Sequence, residues 1–150
     1  MIKKYLTKGI IVKGILAAFG LFLLIQIIPG GRNHANPPVV NEMSWDSPET
    51  HALVKRACFD CHSNETNWPW YSNVAPMSWM LQMDVTRARS HMNFSEWDVS
   101  NGISAELIEK KVKNNEMPKA RYLMLHPEAR LTQVEKDQLI QGIHQTLAKP

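Results

Sequence analysis

Two cysteines and a histidine stand together in the segment Cys58-Phe59-Asp60-Cys61-His62, and the 150-residue chain has no other cysteine. Residues three positions apart on a helical turn face the same way, so both thiols can reach one ligand. The spacing C-x-x-C-H is typical of c-type haem attachment, in which the two thiols form thioethers with the haem vinyl groups. His62 would then point its imidazole at the iron as the proximal ligand.

A pair of cysteines at this spacing also occurs in zinc sites and in thioredoxin-like redox motifs. A structural zinc ion needs four ligands, and the chain offers no third cysteine and no later pair of histidines at zinc-ligand spacing. A thioredoxin-like motif belongs near a strand–helix–strand pattern, which this sequence lacks. Covalent attachment of haem therefore explains Cys58, Cys61 and His62 better than either alternative.

The iron of a haem has a second axial position, and Met117 is the residue that we expect to fill it. Met117-Pro118 lies between two predicted helices, and the proline restricts the backbone there. A Met/His ligand pair favours low-spin electron-transfer haem and raises its reduction potential. Because methionine often fills gaps in cores, Met92 and Met124 stay open as alternatives, and His126 is the histidine alternative.

The first 31 residues have the composition of a membrane-targeting segment. Lysines at positions 3, 4, 8 and 13 supply positive charge, Gly14 to Ile28 is apolar apart from Gln26, and Pro29-Gly30-Gly31 ends the run. Residues 9–28 are long enough for a span, which takes about 20 residues. No small-residue cleavage site follows Ile28, so an uncleaved anchor is favoured over a cleaved signal peptide.

Charge patterning gives the orientation of this anchor. The lysines before the span place the N-terminus in the cytoplasm and the rest of the chain outside it, as a single-pass protein of the inner (cytoplasmic) membrane with its haem domain in the periplasm. All 14 acidic residues but only 12 of the 17 basic residues follow Val40, so the later part carries a net charge of −2. The overall charge of +3 is therefore an orientation signal and not the basic surface of a nucleic-acid-binding protein.

These patterns predict three parts of the chain. Residues 1–31 form a signal anchor or transmembrane segment, residues 32–40 form a linker, and residues 41–150 form one haem-binding domain of about 110 residues. The chain shows no internal repeat and no second haem motif.

Four helices are predicted after the linker. The first begins at Pro48 behind a capping residue and runs through Cys58, and the second begins at Pro76. The third covers residues 104–113, and the last opens at the capping box Thr132-Gln133-Val134-Glu135. No segment alternates with the period of a strand, so the predicted fold class is all-α: an N-terminal apolar helix followed by a small helical domain.

Residues 64–76 contain three neighbouring aromatic residues, Trp68, Trp70 and Tyr71, and are too rich in proline and asparagine for a helix. Two roles are open for these aromatics. They can close over the core, or they can form a flap at the haem edge with a hydrogen bond toward a propionate.

Several stretches together point to one family: ACFDCHSNET (57–66), WPWYS (68–72), AP (75–76), HMNFSEW (91–97), EMP (116–118), Tyr122, HPEA (126–129) and LT (131–132). In these stretches the sequence resembles the bacterial haem-binding domain family of cytochrome-c-like proteins, over about residues 45–148. The resemblance implies a small exported or membrane-anchored protein with one c-type haem. It also implies that Cys58 and Cys61 hold the haem covalently, with His62 proximal and Met117 distal.

The expected function is that of a membrane-anchored, periplasm-facing monohaem cytochrome c that carries single electrons. Its cofactor would be one covalent haem c with its iron, and its partners would be other redox proteins. No small-molecule substrate, no catalysis and no nucleic acid are expected. The alternative is a peroxidase-like haem enzyme or a gas or redox sensor, in which the sixth iron position is open and His126 or another distal group handles protons.

Overall fold

Seven α-helices run through residues 2–97 and 102–148, the part of the chain that the computed structural model describes, with side chains from residue 8 onward. They are α1 (Ile2–Ile27), α2 (Pro48–Ala57), α3 (Phe59–His62), α4 (Met77–His91), α5 (Ala105–Lys113), α6 (Ala120–Leu125) and α7 (Gln133–Leu147). Short 3-10 turns cover Trp70–Asn73 and Pro127–Ala129. In these ranges the only β pairing is an isolated bridge between Asn41 and Glu96, so the all-α prediction is confirmed.

The capping residues that predict the starts of helices α2, α5 and α7 all form their capping hydrogen bonds in the structure. The Ser47 hydroxyl accepts a hydrogen bond from the Thr50 N–H (3.2 Å) at the start of α2, and Ser104 caps α5 in the same way. Thr132 and Glu135 form both halves of the capping box of α7. Each cap satisfies a backbone N–H that the first helical turn leaves without a partner, which is why these helices begin where the sequence predicts.

Three details differ from the sequence prediction. The helix α2 ends at Ala57 and the haem motif has its own helix, whereas one continuous helix through Cys58 was expected. The helix α6 is unpredicted, because six residues are too few for a helical period to be visible. The sequence pattern places Val134 on or near the same apolar side of the last helix as Leu139, Ile143 and Leu147, but Val134 is 66% exposed because the buried face of α7 begins only at Leu139.

The chain divides into two compact units, of which the first comprises Met1–His34 and Trp68–Met83. In this unit Lys8–Ile27 of α1 is a 20-residue stretch of mean hydropathy 2.4. At 1.5 Å per residue it is about 30 Å long, which is the thickness of the hydrocarbon core of a bilayer. By length and composition it can be a membrane span or a signal sequence.

Glycine is required where the chain leaves α1. Gly31 has a φ of +66°, and a Cβ atom on it would lie 2.3 Å from the carbonyl carbon and oxygen of Ser78. Only glycine permits both the left-handed backbone and this approach to the first turn of α4. The chain can therefore pass closely by residue 78 directly after the apolar helix.

The second unit comprises Ala35–Asn67 and Asp84–Pro150 and holds the buried core. Helix α7 packs against both α2 and α5. The core residues are Met43, Val54, Phe59, Met92, Phe94, Ala105, Val112, Leu139, Ile140 and Ile143. Phe59 of the haem motif is thus part of the core, which ties the motif to the most buried part of this unit.

The packing of α2 on α7 depends on Gly142. A Cβ atom at this position would lie 1.9 Å from the Thr50 hydroxyl oxygen, so the Thr50 side chain of α2 packs directly against the backbone of α7 at Gly142. We expect Gly142→Ala to destabilise the protein by about 1–3 kcal/mol through overpacking, although alanine by itself favours a helix by roughly 0.5–1 kcal/mol. Thermal unfolding followed by circular dichroism checks this.

Gly14→Ala is the matched control for this substitution. A Cβ atom at Gly14, in α1, meets no atom within 4 Å. The control should leave the melting temperature of the second unit unchanged. An unchanged melting temperature for Gly142→Ala would contradict the close packing of α2 on α7.

Candidate haem-binding site

The C-x-x-C-H motif forms a helical turn of its own. The backbone N–H of Cys58 donates to the Val54 carbonyl (2.8 Å) and closes α2, and at Cys58 the backbone leaves the helical region with a φ of −126°. The Cys58 carbonyl then accepts hydrogen bonds from the N–H groups of Cys61 (3.1 Å) and His62 (2.9 Å). A single turn therefore carries both thiols and the imidazole.

Cys58 and Cys61 are free cysteines, and each residue is half-buried. Burial, together with the charge of Cys61, raises the pKa of the Cys58 thiol to about 12. Burial also raises the pKa of Cys61 to about 11, assisted by the carboxylates of Asp60 and Asp84. Both cysteines are therefore protonated at neutral pH. Among the described residues, no group of three or more His, Cys, Asp or Glu side chains could hold a metal ion.

His62 is held with one ring nitrogen available. Its Nδ1 lies 3.1 Å from the carbonyl oxygen of Met92, and since a carbonyl only accepts, Nδ1–H is the donor. Burial lowers the pKa of the imidazole, against the effect of the backbone oxygens of Met92 and Ala88, so the ring is neutral at pH 7. The Nε2 atom then carries a lone pair, which is the form that ligates haem iron.

Arg89 of α4 holds the segment that follows the motif. Its Nε donates to the Ser63 carbonyl (2.8 Å), and its Nη2 donates to Thr66 Oγ1 (2.8 Å) and Asn36 Oδ1 (3.0 Å). The sequence leaves two roles for Arg89: a solvated position on a helix face, which it favours, or pairing with a haem propionate. In the structure Arg89 instead fixes the chain directly after His62.

Asn64 adds a second fixed point two residues after His62. Its side-chain amide donates to the Pro38 carbonyl (2.9 Å) and to Glu96 (2.7 Å), and its Oδ1 accepts from Asn93 (2.9 Å). Asn64 is only 3% exposed, so a buried amide with all these bonds restricts the backbone strongly. The chain directly after His62 is thus held at two positions, the Ser63 carbonyl and the Asn64 side chain.

Asp60, between the two cysteines, links the motif to α6. One carboxylate oxygen accepts a hydrogen bond from the Tyr122 hydroxyl (2.6 Å), and the other accepts from the Asn67 N–H (2.9 Å). Burial and this hydrogen bond to Asp60 raise the pKa of Tyr122, so the phenol stays protonated and remains the donor. The resemblance marks Tyr122, but no pattern in the sequence pairs it with Asp60.

Met117 lies half-buried in the segment between α5 and α6. Asn115 has a φ of 56° and turns the chain after α5, after which the N–H groups of Glu116 and Met117 donate to the Lys111 carbonyl (2.9 and 3.2 Å). The Met117-Pro118 peptide bond is cis. The backbone of the segment that carries the sulfur is therefore tied to the last turn of α5.

The other end of this segment lies near the haem motif. Lys119 pairs with Asp84 of α4 (2.8 Å), and Arg121 forms a bidentate pair with the same carboxylate. The charge of Lys119 lowers the pKa values of both Cys61 and His62, and the Tyr122 hydroxyl of α6 donates to Asp60 of the motif (2.6 Å). The structure thus brings the Met117 segment to the same part of the second unit as the motif.

The alternative axial ligands occupy other environments. Met92 is a core residue, 9% exposed, and its carbonyl lies on the Nδ1 side of His62, behind the ring. Met124 is 77% exposed. His126 stacks on Tyr122 at 4.2 Å between ring centroids, and its Nδ1 pairs with Glu128 (2.9 Å). Met117 therefore differs from these three residues in lying half-buried, in the segment between α5 and α6.

These residues fit a haem. Two neutral thiols on one turn beside a neutral imidazole with a free Nε2 form the donor set that covalent haem binding needs. A family model described as a haem-binding domain matches residues 20–145. Neither the curated proteins nor the solved structures give a match. Since the family model covers most of the sequence, the chain belongs to the haem-binding domain family.

Proposed function

We propose that this protein is a membrane-anchored monohaem c-type cytochrome that carries single electrons outside the cytoplasm. The observation that carries the proposal is the His62 imidazole, neutral and oriented by the Met92 carbonyl, on the same helical turn as two free thiols. Bound haem supplies a one-electron ferric–ferrous couple. Its partners would be redox proteins that meet it in small, transient contacts.

The roles of the residues follow from their chemistry. Cys58 and Cys61 would hold a haem covalently by adding their thiols across its vinyl groups, with the sulfur bonding to one carbon and the hydrogen passing to the other, so attachment would need no oxidant. His62 would ligate through Nε2 while its Nδ1–H bond to Met92 holds the ring plane. Met117 would supply a thioether sulfur as a further iron ligand. Phe59 and Phe94 are buried, and their rings lie 5.8 Å apart. Their packing in the core keeps the motif rigid.

Retention of α1 as an anchor is supported by its hydrogen bonds within the first unit. Gln26 exchanges two hydrogen bonds with the backbone of Ala75, at 3.0 and 2.9 Å. Arg32, just after the apolar helix, donates to the Asn73 carbonyl (3.0 Å). A leader that is removed would not share such bonds with the mature protein, so these contacts favour an uncleaved span.

Expression of the full chain with cytochrome c maturation machinery tests the proposal. Haem stain should remain on the band after denaturing electrophoresis, and the intact mass should equal the uncleaved chain plus one haem. The oxidised protein should show the weak far-red band of sulfur-to-iron charge transfer. A colourless product with the bare chain mass would refute the proposal, and high-spin bands with rapid carbon monoxide binding would instead support an enzyme or sensor with an open sixth position.

Asp84 should stabilise the segment that carries the distal ligand, because it pairs with both Lys119 and Arg121 while only 13% of its side chain is exposed. We expect Asp84→Asn to cost about 1 kcal/mol, which lowers the melting temperature by roughly 5 °C. The far-red band should disappear on warming before the helical signal does. Glu109→Gln, which removes a paired carboxylate from α5, is the control and should leave the band intact.

The same carboxylate predicts a pH dependence of stability. Burial raises the pKa of Asp84, but its hydrogen bonds to Lys119 and Arg121 outweigh this and bring the pKa below its ordinary 3.8. Its contribution to stability is therefore complete above pH 3.8 and is lost as the pH falls through the lower, folded-state value. Thermal melts in this acid range should show a steeper decline for the wild type than for Asp84→Asn. Parallel declines would contradict it.

A further inference from the structure

Trp70 is unusually exposed for a tryptophan. Its side chain is 79% exposed, whereas the other four tryptophans of the chain are partly buried. It begins the 3-10 turn Trp70–Asn73, and its nearest aromatic neighbour is Tyr71, edge-on at 5.9 Å. Trp70 therefore does not close over a core, which was one of the two roles open from the sequence.

The turn is fastened to the end of the apolar helix α1. The Gln26 Nε2 donates to the carbonyls of Ala75 (3.0 Å) and Phe22 (3.0 Å), and Gln26 Oε1 accepts from the Ala75 N–H (2.9 Å) and from Arg32 (3.2 Å). Both hydrogens and both acceptor positions of the amide are thus used. An amide satisfied in this way can lie at the edge of the hydrocarbon region without an unpaired polar group.

Other contacts of the first unit hold the turn in the same place. The Arg32 Nε donates to the Asn73 carbonyl (3.0 Å), and the His34 ring donates to the Ser72 carbonyl (3.2 Å) while it stacks on Trp68 at 4.8 Å. The turn is thus fixed by residues that lie within or just after the last turn of α1. The turn that begins at Trp70 therefore adjoins the end of the apolar stretch Lys8–Ile27.

We propose that Trp70 is a second membrane contact, whose indole inserts into the headgroup and upper acyl region of the leaflet at the C-terminal end of α1. The inference rests on the proposed anchoring of α1 and is continuous with it. Tryptophan is enriched at this depth because its apolar ring and its polar N–H suit the boundary between lipid and water. The occupant of this surface is therefore the lipid bilayer, and no protein partner is required.

Site-specific photo-crosslinking of the full-length, haem-loaded protein tests this. The variant Trp70→p-benzoylphenylalanine is reconstituted in vesicles of phosphatidylethanolamine and phosphatidylglycerol, irradiated, and examined by mass spectrometry for lipid adducts. Leu24→p-benzoylphenylalanine, 62% exposed in α1, reports on the span itself. Val134→p-benzoylphenylalanine, 66% exposed in α7, is the control for random collision.

Lipid adducts at positions 24 and 70, with none at 134, are the expected result. Adducts at 24 alone would overturn the inference about Trp70 and leave the anchor standing. Absence of adducts at both 24 and 70 would overturn the anchor and the inference together. Crosslinks from position 70 mainly to a second copy of the protein would also overturn it, since the surface would then be a protein contact.

Discussion

Replacement of both Cys58 and Cys61 with serine is expected to remove all covalently bound haem, so the band should lose its haem stain completely after denaturing electrophoresis. These are the chain's only cysteines, so no other thiol can substitute. Each thioether is an independent covalent bond, and either one alone keeps the haem on the polypeptide. The single variants Cys58→Ser and Cys61→Ser should therefore keep some stain.

The serine variants also test the role of the motif in the fold. Serine keeps the size of cysteine, and the turn depends on the backbone bonds from Cys61 and His62 to the Cys58 carbonyl, which serine does not alter. Far-ultraviolet circular dichroism of the double variant should therefore still show helix. Stain that survives in the double variant would show that the thiols are not the attachment points, and the c-type assignment would be withdrawn.

Replacement of Met117 with alanine is expected to convert the haem from six-coordinate and low-spin to an open form. The far-red band should vanish, carbon monoxide should bind to the reduced protein, and the reduction potential should fall. A fall of roughly 0.1–0.3 V is reasonable because axial ligands set haem potentials over a range of about 0.8 V. Absorption spectra and a redox titration of both oxidation states check this.

Met124→Ala is the matched control, because it removes the same side chain from a position that is 77% exposed. Its spectrum and potential should equal those of the wild type. If Met117→Ala stays low-spin while His126→Ala loses a ligand, the distal residue is His126. That outcome would leave covalent attachment intact and replace the methionine assignment.

The parts of the fold that the sequence predicted are those governed by neighbours within one helical turn. The caps Ser47 and Ser104 and the box Thr132–Glu135 act over three residues, so residue types alone reveal them. The starts of α2, α5 and α7 follow from these caps. The geometry of the haem motif is also set by near neighbours in the sequence, because one turn brings its two cysteines and its histidine together.

The contacts that the sequence could not predict join residues far apart in the chain. Asp60 and Tyr122 are 62 positions apart, and Asp84 lies 37 positions from Arg121. Asp, Tyr and Arg occur at many surface positions, so nothing in their type or spacing marks these pairs. Packing of the helices selects the partners, and only the folded arrangement reveals that Arg89 binds main-chain carbonyls.

The two variable positions of C-x-x-C-H are occupied in this chain by residues with specific contacts. Phe59 is 2% exposed and packs in the core, while the Asp60 carboxylate accepts a hydrogen bond from the Tyr122 hydroxyl. Each of the two residues is therefore held by a different set of contacts. Grafting only the cysteines and the histidine onto an unrelated helix would transfer the reactive atoms without the contacts that hold them in position. A designer who wants a rigid haem from this scaffold would have to move five consecutive residues together with their distant tyrosine.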